Sequence, residues 1–239
     1  MGIAAGALPF LLDEGAALPW SGRLLTLGRQ DVSFSAEQLV EAARRAGCTL
    51  DQASLSAGTA TGEWFFRALG FASVNVMDAN PYESADIVFD LNSRDIPDSC
   101  RDAFDLVLDG GTLEHVFDVA QALRNLCRMV RPGGRIIHIS PLSNCADHGF
   151  YSFSPTLFAD FYSANAFRVR RISIAQFARD PVNDEWVSVP YVPGALGTLG
   201  ELSRDVHFVM ACAERVDGST SDVVPQQAYY RNVAWAGRA

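Results

Sequence analysis

The chain has 239 residues, of which 49% are hydrophobic and 20% are charged, and this is the composition of a globular protein. The length is sufficient for one α/β domain with a hydrophobic core of its own. The formal net charge of -9 is unfavourable for holding a phosphate backbone, so we expect no nucleic-acid partner.

The five cysteines are scattered along the chain, odd in number and never spaced as Cys-x-x-Cys. This distribution argues against a disulfide scaffold and against a structural zinc site, so we predict no metal. Reduced cysteines in apolar runs indicate a reducing compartment, and we predict a cytoplasmic protein. The first residues lack the basic region of a signal peptide, and no apolar run is long enough to span a bilayer.

The first predicted elements lie within residues 1–50. Residues 1–20 are predicted to be an N-terminal arm, punctuated by Pro9 and Pro19, that packs against its own domain or against a second copy in a homodimer. RLLTLG at 23–28 predicts a short buried strand. SAEQ at 35–38 resembles a capping box, and apolar residues then repeat at helical spacing as far as Gly47, so a helix is predicted there.

The remaining elements alternate between strands and helices. Helices are predicted at 62–69, 118–130 and 154–167, and strands at 72–78, 86–92, 104–111, 135–140, 168–174 and 205–214. Apolar strands that alternate with helices predict a parallel sheet covered on both faces. We therefore predict a single doubly wound, mostly parallel α/β sheet over residues 21–215, followed by a C-terminal tail at 216–239.

Four of the predicted strands end in polar or flexible residues, which are GRQD at 28–31, DAN at 78–80, DLN at 90–92 and DGG at 109–111. One such ending is common, because acids and glycines form turns. In an open parallel sheet, however, ligands bind beyond the carboxyl ends of the strands. Four such endings at one edge therefore predict a ligand pocket.

The residue types at these endings fit a nucleoside. Asp78 can accept hydrogen bonds from both ribose hydroxyls, as an acid does in dinucleotide folds. The segment 90–92 offers polar groups for an adenine edge and a leucine for its face. Gly28 and Gly110 remove side chains where a ligand approaches the backbone. GRQDVS does not supply the G-x-G-x-x-G fingerprint, which argues against a nicotinamide dehydrogenase.

Residues 104–140 contain FDLVLDGGTLEHVFD, then an amphipathic helix, and then RMVRPGGRIIHISP. This stretch resembles the class I S-adenosylmethionine-dependent methyltransferases. YESADIVFDLN and HGFYSFSPTLFADFYSANAF are similar to a bacterial branch often associated with carbohydrate or polysaccharide assembly. The resemblance covers about 23–175. It implies a Rossmann-like methyltransferase fold, S-adenosylmethionine as cofactor, and methyl transfer to a small-molecule or carbohydrate-type acceptor.

The family's cofactor-binding positions carry over onto this sequence one by one. They imply a cofactor site formed by Gly28, Arg29, Gln30, Asp78, Asp90, Leu91, Asn92, Asp109 and Gly110. The first loop departs from the family, because Thr26 replaces the usual acid, and Gln30 and Val32 replace the second and third glycines. If this loop still binds the cofactor, Arg29 or Gln30 serves as a donor to it. The first alternative is that the chain is a non-catalytic interaction subunit. The second alternative is that it transfers a different group on the same scaffold.

The acceptor side is predicted from the segments after the fourth and fifth strands. The resemblance places Glu114 and His115 at the mouth of the site, and His148 and Tyr151 lie in the later loop where acceptors commonly bind. Methyl transfer is a direct displacement that benefits from a general base, and we predict His148 and His115 in that role. His115 is equally compatible with bonding a loop carbonyl, and His138 is predicted to be a core residue.

Overall fold

The computed structural model describes residues 2–57, 61–193 and 202–232. The strands are β1 (Gly2–Ala4), β2 (Arg23–Leu27), β3 (Asp31–Ser33), β4 (Ser73–Asp78), β5 (Ile87–Val88), β6 (Phe104–Asp109), β7 (Val130–Ser143), β8 (Arg168–Phe177), β9 (Val187–Pro190) and β10 (Val206–Glu214). The helices are α1 (Leu8–Ala17), α2 (Ala36–Ala46), α3 (Gln52–Ala57), α4 (Gly62–Ala68), α5 (Val119–Met129), α6 (Pro155–Ala164) and α7 (Ala228–Asn232). None of the helices in these ranges is both long and apolar enough to cross a membrane.

Eight of the described strands form one sheet in the order β5-β4-β2-β6-β7-β10-β8-β9. The pairs from β5 to β7 are parallel, whereas β10 runs antiparallel to both β7 and β8, and β9 is antiparallel to β8. The chain builds outward from β2 to β5 on one side and then returns to place β6 and β7 on the other side. This confirms the predicted Rossmann-like α/β class and puts the reversal of strand order between β2 and β6, where ligands bind in such sheets.

The predicted helix boundaries depend on caps that the structure contains. Ser35 accepts a hydrogen bond from the backbone of Gln38, whose side chain bonds back to Ser35, and α2 ends at Gly47 with a φ of 68°. Asp118 caps α5 by accepting from the backbone of Gln121. Ser154 caps α6, with a proline in the first turn where no amide donor is needed. The capping box at 35–38 was predicted from the sequence, and the predicted starts at 118 and 154 lie within one residue of the observed starts of α5 and α6.

Within the predicted N-terminal arm, residues 2–17 contain β1 and α1, and the buried face of α1 joins the core on one side of the sheet. Pro9, which we interpreted as punctuation, lies in the first turn of α1. The Arg135 guanidinium donates 2.8 Å bonds to the carbonyls of Glu14 and Leu18 and lies 3.5 Å over the Trp20 ring. These bonds fasten α1 to its own domain; the domain boundaries themselves remain a prediction.

The predicted C-terminal tail is described as far as residue 232, and residues 233–239 lie outside the described ranges. Its first part is bonded to the end of α6. The Asn165 side chain accepts from Val223 N and donates to Val223 O, each at 3.0 Å, and Thr220 N donates to Asn165 O at 2.9 Å. The backbone of this segment is therefore hydrogen-bonded to Asn165, the residue that follows α6.

Two apolar clusters cover the two faces of the sheet. Alternation along β6 sends Val107 into one cluster, with Leu123 and Leu126 of α5, and sends Leu106 and Leu108 into the other, with residues of α1 and α4. Because both faces of the central strands are covered, polar groups of these strands reach solvent only at the strand ends. The polar residues predicted to bind a ligand accordingly lie at the carboxyl edge.

Candidate functional site

A cavity of about 380 Å³ opens at the carboxyl ends of β2, β4 and β6. Seven of the nine predicted cofactor residues line it, namely Gly28, Arg29, Gln30, Asp78, Asp90, Leu91 and Asn92. His115 lines it as well. The structure thus brings together residues that follow four strands, β2, β4, β5 and β6, at the reversal of strand order.

Gly28 ends β2 with bare backbone. Its φ is 68°, a left-handed conformation that glycine adopts without steric cost. Its amide donates a 2.7 Å hydrogen bond to Met77 O, which ties the loop to β4. A Cβ atom at Gly28 would meet only Thr112 Oγ1, at 3.6 Å, so the approach to this backbone is open.

Gln30 and Gly110 are packed against each other beneath this loop. The Gln30 side chain is buried, and its Nε2 donates a 2.9 Å bond to Leu27 O. A Cβ atom at Gly110 would lie 2.4 Å from Gln30 Oε1. Gly110 therefore lies outside the cavity lining, and its missing side chain makes room for Gln30. The Gln30 Oε1 atom has no hydrogen-bond partner among the described residues.

Arg29 spans the mouth of the cavity. Its Nε donates a 2.8 Å bond to Glu83 O, and its Nη2 donates a 3.3 Å bond to Ser84 O. The loops after β2 and after β4 are joined by these two bonds. Sequence reasoning missed the loop after β4, where Tyr82 and Glu83 also line the cavity; the preceding Asp-Ala-Asn ending was the available signal.

The two acidic strand endings have defined local geometry. Asp78 Oδ1 accepts a 3.0 Å bond from Asn80 N, and Asp90 Oδ1 accepts from the backbone and side-chain amides of Asn92 at 2.9 and 2.7 Å. Leu91 is buried between them and the core. Both carboxylates are therefore held in place by their own turns beside the cavity.

Asp109 is fully buried and lies outside the cavity lining. Its Oδ1 accepts from Thr112 N at 2.9 Å and from Leu113 N at 3.2 Å, and its Oδ2 lies 2.8 Å from His138 Nδ1. The structure places this carboxylate under the short 3-10 helix Leu113–His115, which follows β6. Asp109 thus fixes the turn that carries Glu114 and His115.

Glu114, His115 and His148 lie together at one side of the cavity. The His115 and His148 ring centroids are 5.4 Å apart, and His148 Nε2 is 3.5 Å from Glu114 Oε1. Glu114 is fully buried, and neither of its carboxyl oxygens has a hydrogen-bond partner among the described residues. Burial, and secondarily the nearby Asp109 carboxylate, raises the pKa of Glu114 to about 8. Burial, and then the neighbouring His148, lowers the pKa of His115.

The loop after β7 is fastened to the same turn. Phe150 N and Tyr151 N donate to Glu114 O at 2.7 and 3.3 Å, and a Cβ atom at Gly149 would lie 2.8 Å from that oxygen. The Tyr151 hydroxyl donates a 2.8 Å bond to Phe117 O. These contacts place His148 and Tyr151 next to the 3-10 helix although they are distant in sequence.

Two aromatic rings beside this cluster point into solvent. Phe117 is 72% exposed and Phe150 is 66% exposed, and their rings meet edge to face with centroids 5.7 Å apart. These two rings are not part of the core, whereas Phe153, in the same loop as Phe150, is buried. Val116, the residue before Phe117, lines the cavity.

A family model described as a methyltransferase domain matches residues 53–185, which is more than half of the chain. The chain belongs to this methyltransferase family. No curated protein sequence matches the chain.

Solved structures of similar fold share little sequence with this methyltransferase. The YcgJ protein from Bacillus subtilis is 12% identical with a TM-score of 0.47, and the match covers 87% of this chain and 98% of that one. A 1,6-didemethyltoxoflavin-N1-methyltransferase from Burkholderia thailandensis, with S-adenosylhomocysteine bound, is 14% identical with a TM-score of 0.43 over 89% and 80%. The N-methyltransferase NodS from Bradyrhizobium japonicum, in complex with S-adenosylhomocysteine, is 12% identical with a TM-score of 0.44 over 87% and 85%.

Proposed function

We propose that this protein transfers a methyl group from S-adenosylmethionine to a small-molecule or carbohydrate-type acceptor. The observation that carries the proposal is the cavity in which Gly28, Asp78 and Asp90 meet at the reversal of strand order, in a chain of the methyltransferase family. When bound, the cofactor supplies a methyl group on a positively charged sulfur.

The described residues fit the three parts of this cofactor. The Asp78 carboxylate at the end of β4 accepts hydrogen bonds from the ribose hydroxyls, as acids do at this position of dinucleotide folds. Asp90 and Asn92 address the adenine edge, and Leu91 packs against its face. The open backbone at Gly28 admits the amino-acid end. The cavity of about 380 Å³ lies within the range of small-molecule sites.

The modified first loop still provides polar groups toward the amino-acid end. Gln30 lines the cavity and its buried Oε1 has no hydrogen-bond partner among the described residues, so we assign this oxygen as an acceptor for the cofactor's ammonium group. Arg29 holds the mouth and offers its remaining donors to the carboxylate. We assign Asp109 and Gly110 an indirect role in cofactor binding, because they support this loop and the 3-10 helix from below.

The acceptor binds on the side of Glu114, His115, His148 and Tyr151. Methyl transfer requires that the acceptor atom be aligned with the methyl carbon and shielded from water, which can contribute about 7–11 kcal/mol. His148 and His115 are the proposed catalytic residues, because an imidazole that contacts the acceptor assists its deprotonation, typically by about 10²–10⁴-fold. The exposed rings of Phe117 and Phe150 suit the flat face of a sugar or another planar group.

The cellular setting follows from the cysteines. All five are free, and Cys100, Cys127 and Cys212 are buried in the core. Free buried thiols are typical of proteins in reducing compartments, so we propose a cytoplasmic site of action. Nucleic acid is not a proposed partner because of the acidic net charge.

The proposed function is tested by incubating the protein with S-adenosylmethionine and a panel of nucleotide sugars, free sugars and small amines. We expect S-adenosylhomocysteine to form and one acceptor to gain the mass of a methyl group. His148→Ala should lower the rate by about 10²–10⁴-fold without changing the affinity for S-adenosylhomocysteine. A product carrying a different group would indicate another transfer on the same scaffold.

The non-catalytic alternative is favoured by Gln30 at a position where the family has glycine. It predicts a folded protein that neither forms S-adenosylhomocysteine with any acceptor nor binds it, and that result would contradict the proposed function. If the protein binds S-adenosylhomocysteine but methylates none of the first acceptors, further sugars and amines are tested before the protein is judged non-catalytic.

A further inference from the structure

Three potential metal-ligand side chains converge at the edge of the cofactor cavity. Glu114, His115 and His148 each contribute one ligand atom, and these atoms all lie within 4.8 Å of one another. Two come from the 3-10 helix after β6, and the third comes from the loop after β7. The sequence analysis predicted no metal, because the cysteines are scattered and never spaced as Cys-x-x-Cys.

The Glu114 carboxyl is the unusual member of this cluster. It is fully buried, and neither oxygen has a hydrogen-bond partner among the described residues. Burial of such a group without a partner is costly, and buried polar side chains in proteins are nearly always bonded. A bound cation at the two imidazoles would supply the missing partner.

We propose that Glu114, His115 and His148 bind a divalent first-row metal ion such as Zn²⁺. Two imidazole nitrogens and one carboxylate oxygen form a donor set that binds such ions in preference to Ca²⁺ or Mg²⁺. Three protein ligands leave coordination positions for water or a ligand. The side chain of His148 is 41% exposed, so an ion can reach the cluster from solvent.

The surrounding structure holds the two ligand-bearing segments in register. Phe150 N donates a 2.7 Å bond to Glu114 O, so the loop that carries His148 is attached to the backbone of a second ligand. Asp109 fixes the 3-10 helix from below through Thr112 N and Leu113 N. A preformed arrangement of this kind reduces the ordering that metal binding requires.

The position of the site assigns it a role that rests on the proposed function. His115 lines the cofactor cavity, so an ion held by it adjoins the transfer site. An acceptor hydroxyl on the ion has a lowered pKa and loses its proton to solvent. Its oxygen then bonds to the methyl carbon as the carbon–sulfur bond breaks, and that electron pair stays on sulfur. The imidazoles then act as ligands instead of as bases.

The metal site is tested by titrating the metal-free protein with Zn²⁺ alone and measuring the heat of binding. We expect one ion per chain, and we expect Glu114→Gln and His148→Ala each to weaken binding by at least about tenfold. Glu63→Gln, which removes an exposed carboxyl on α4, is the matched control and should bind as the unmodified protein does. Cys145→Ser is measured in parallel, because thiols bind Zn²⁺ and Cys145 lies in the His148 loop.

The outcomes separate this inference from the proposed function. Loss of binding in Cys145→Ser but not in His148→Ala, or no stoichiometric binding by folded protein, would overturn the metal site. Titration with S-adenosylhomocysteine in the presence of a chelator tests the cofactor site independently. If a chelator removes the activity and Zn²⁺ restores it, the result supports the role of the ion at the acceptor. Full activity in the chelator contradicts that role, and the imidazoles then deprotonate the acceptor directly.

Discussion

His138 Nδ1 lies 2.8 Å from Asp109 Oδ2, and both side chains are fully buried between β6 and β7. The two residues are register partners on these parallel strands. His138 Nε2 lies 2.6 Å from the Tyr162 hydroxyl, so a chain of hydrogen bonds runs from the end of β6 to α6. The carboxylate also anchors the 3-10 helix that carries Glu114 and His115.

This network predicts a large stability cost for Asp109→Ala. The substitution leaves two backbone amides and a buried imidazole without their acceptor, and we expect the free energy of unfolding to fall by about 3–5 kcal/mol, as when one partner of a buried pair is removed. Tyr162→Phe, which removes one bond at the far end, should cost about 1–3 kcal/mol. Urea unfolding measures both, and an Asp109→Ala protein as stable as the unmodified chain would contradict the network.

Gly28 and Gly47 form a matched pair for testing the first loop. Both have a φ of 68°, and neither has a neighbour close enough to clash with a Cβ atom. Substitution by alanine should therefore cost each about 1–2 kcal/mol of stability for the left-handed conformation. Only Gly28→Ala should also weaken binding of S-adenosylhomocysteine, because Gly47 lies at the end of α2 away from the cavity. Equal affinity in the two variants would show that the ligand does not approach Gly28.

Gln30 and Gly110 should be energetically coupled. A Cβ atom at Gly110 would displace the Gln30 amide and break its bond to Leu27 O, which we expect to cost about 1 kcal/mol. In a Gln30→Gly background, the same Gly110→Ala change has no side chain to displace and should cost less. A double-mutant cycle by urea unfolding measures the coupling. Strictly additive costs would contradict the packing of the pair.

The aromatic residues of the loop after β7 should divide into two classes. Phe150→Ala should change stability by less than about 0.5 kcal/mol because the ring is exposed. Phe153→Ala should cost about 3–5 kcal/mol because that ring is buried against Phe158. Once an acceptor is known, Phe150→Ala should raise its KM and leave the affinity for S-adenosylhomocysteine unchanged. An unaltered KM would exclude Phe150 from the acceptor site.

Much of the fold was predictable because its signals are local. Strands β2, β4, β6, β7, β8 and β10 and helices α2, α4, α5 and α6 were all predicted from apolar periodicity and caps. The helix in residues 1–20 was missed because its fastening is not local. Arg135 bonds to the carbonyls of Glu14 and Leu18, and no pattern within the first residues reveals that contact.

The site was predictable to the level of strand ends but not of side-chain directions. Alternation identifies Asp109 as the last residue of a buried strand, yet only the pairing of β6 with β7 shows that it turns toward His138. Likewise, the sequence marks Gln30 as a departure at a glycine position, whereas its packing on Gly110 depends on two strands that are adjacent in space. The proximity of His148 to Glu114 also depends on a loop fold that no motif specifies.

Calorimetric titration with S-adenosylhomocysteine tests the central claim most directly. The claim is that one cavity binds the adenosyl group through Asp78 and Asp90. We expect one ligand per chain and at least a tenfold loss of affinity, about 1.4 kcal/mol, in Asp78→Asn and in Asp90→Asn. Asp95→Asn, at an exposed aspartate near the same segment, should bind normally. A folded protein that binds no ligand, or Asp78 and Asp90 variants that bind as the unmodified protein does, would contradict the account.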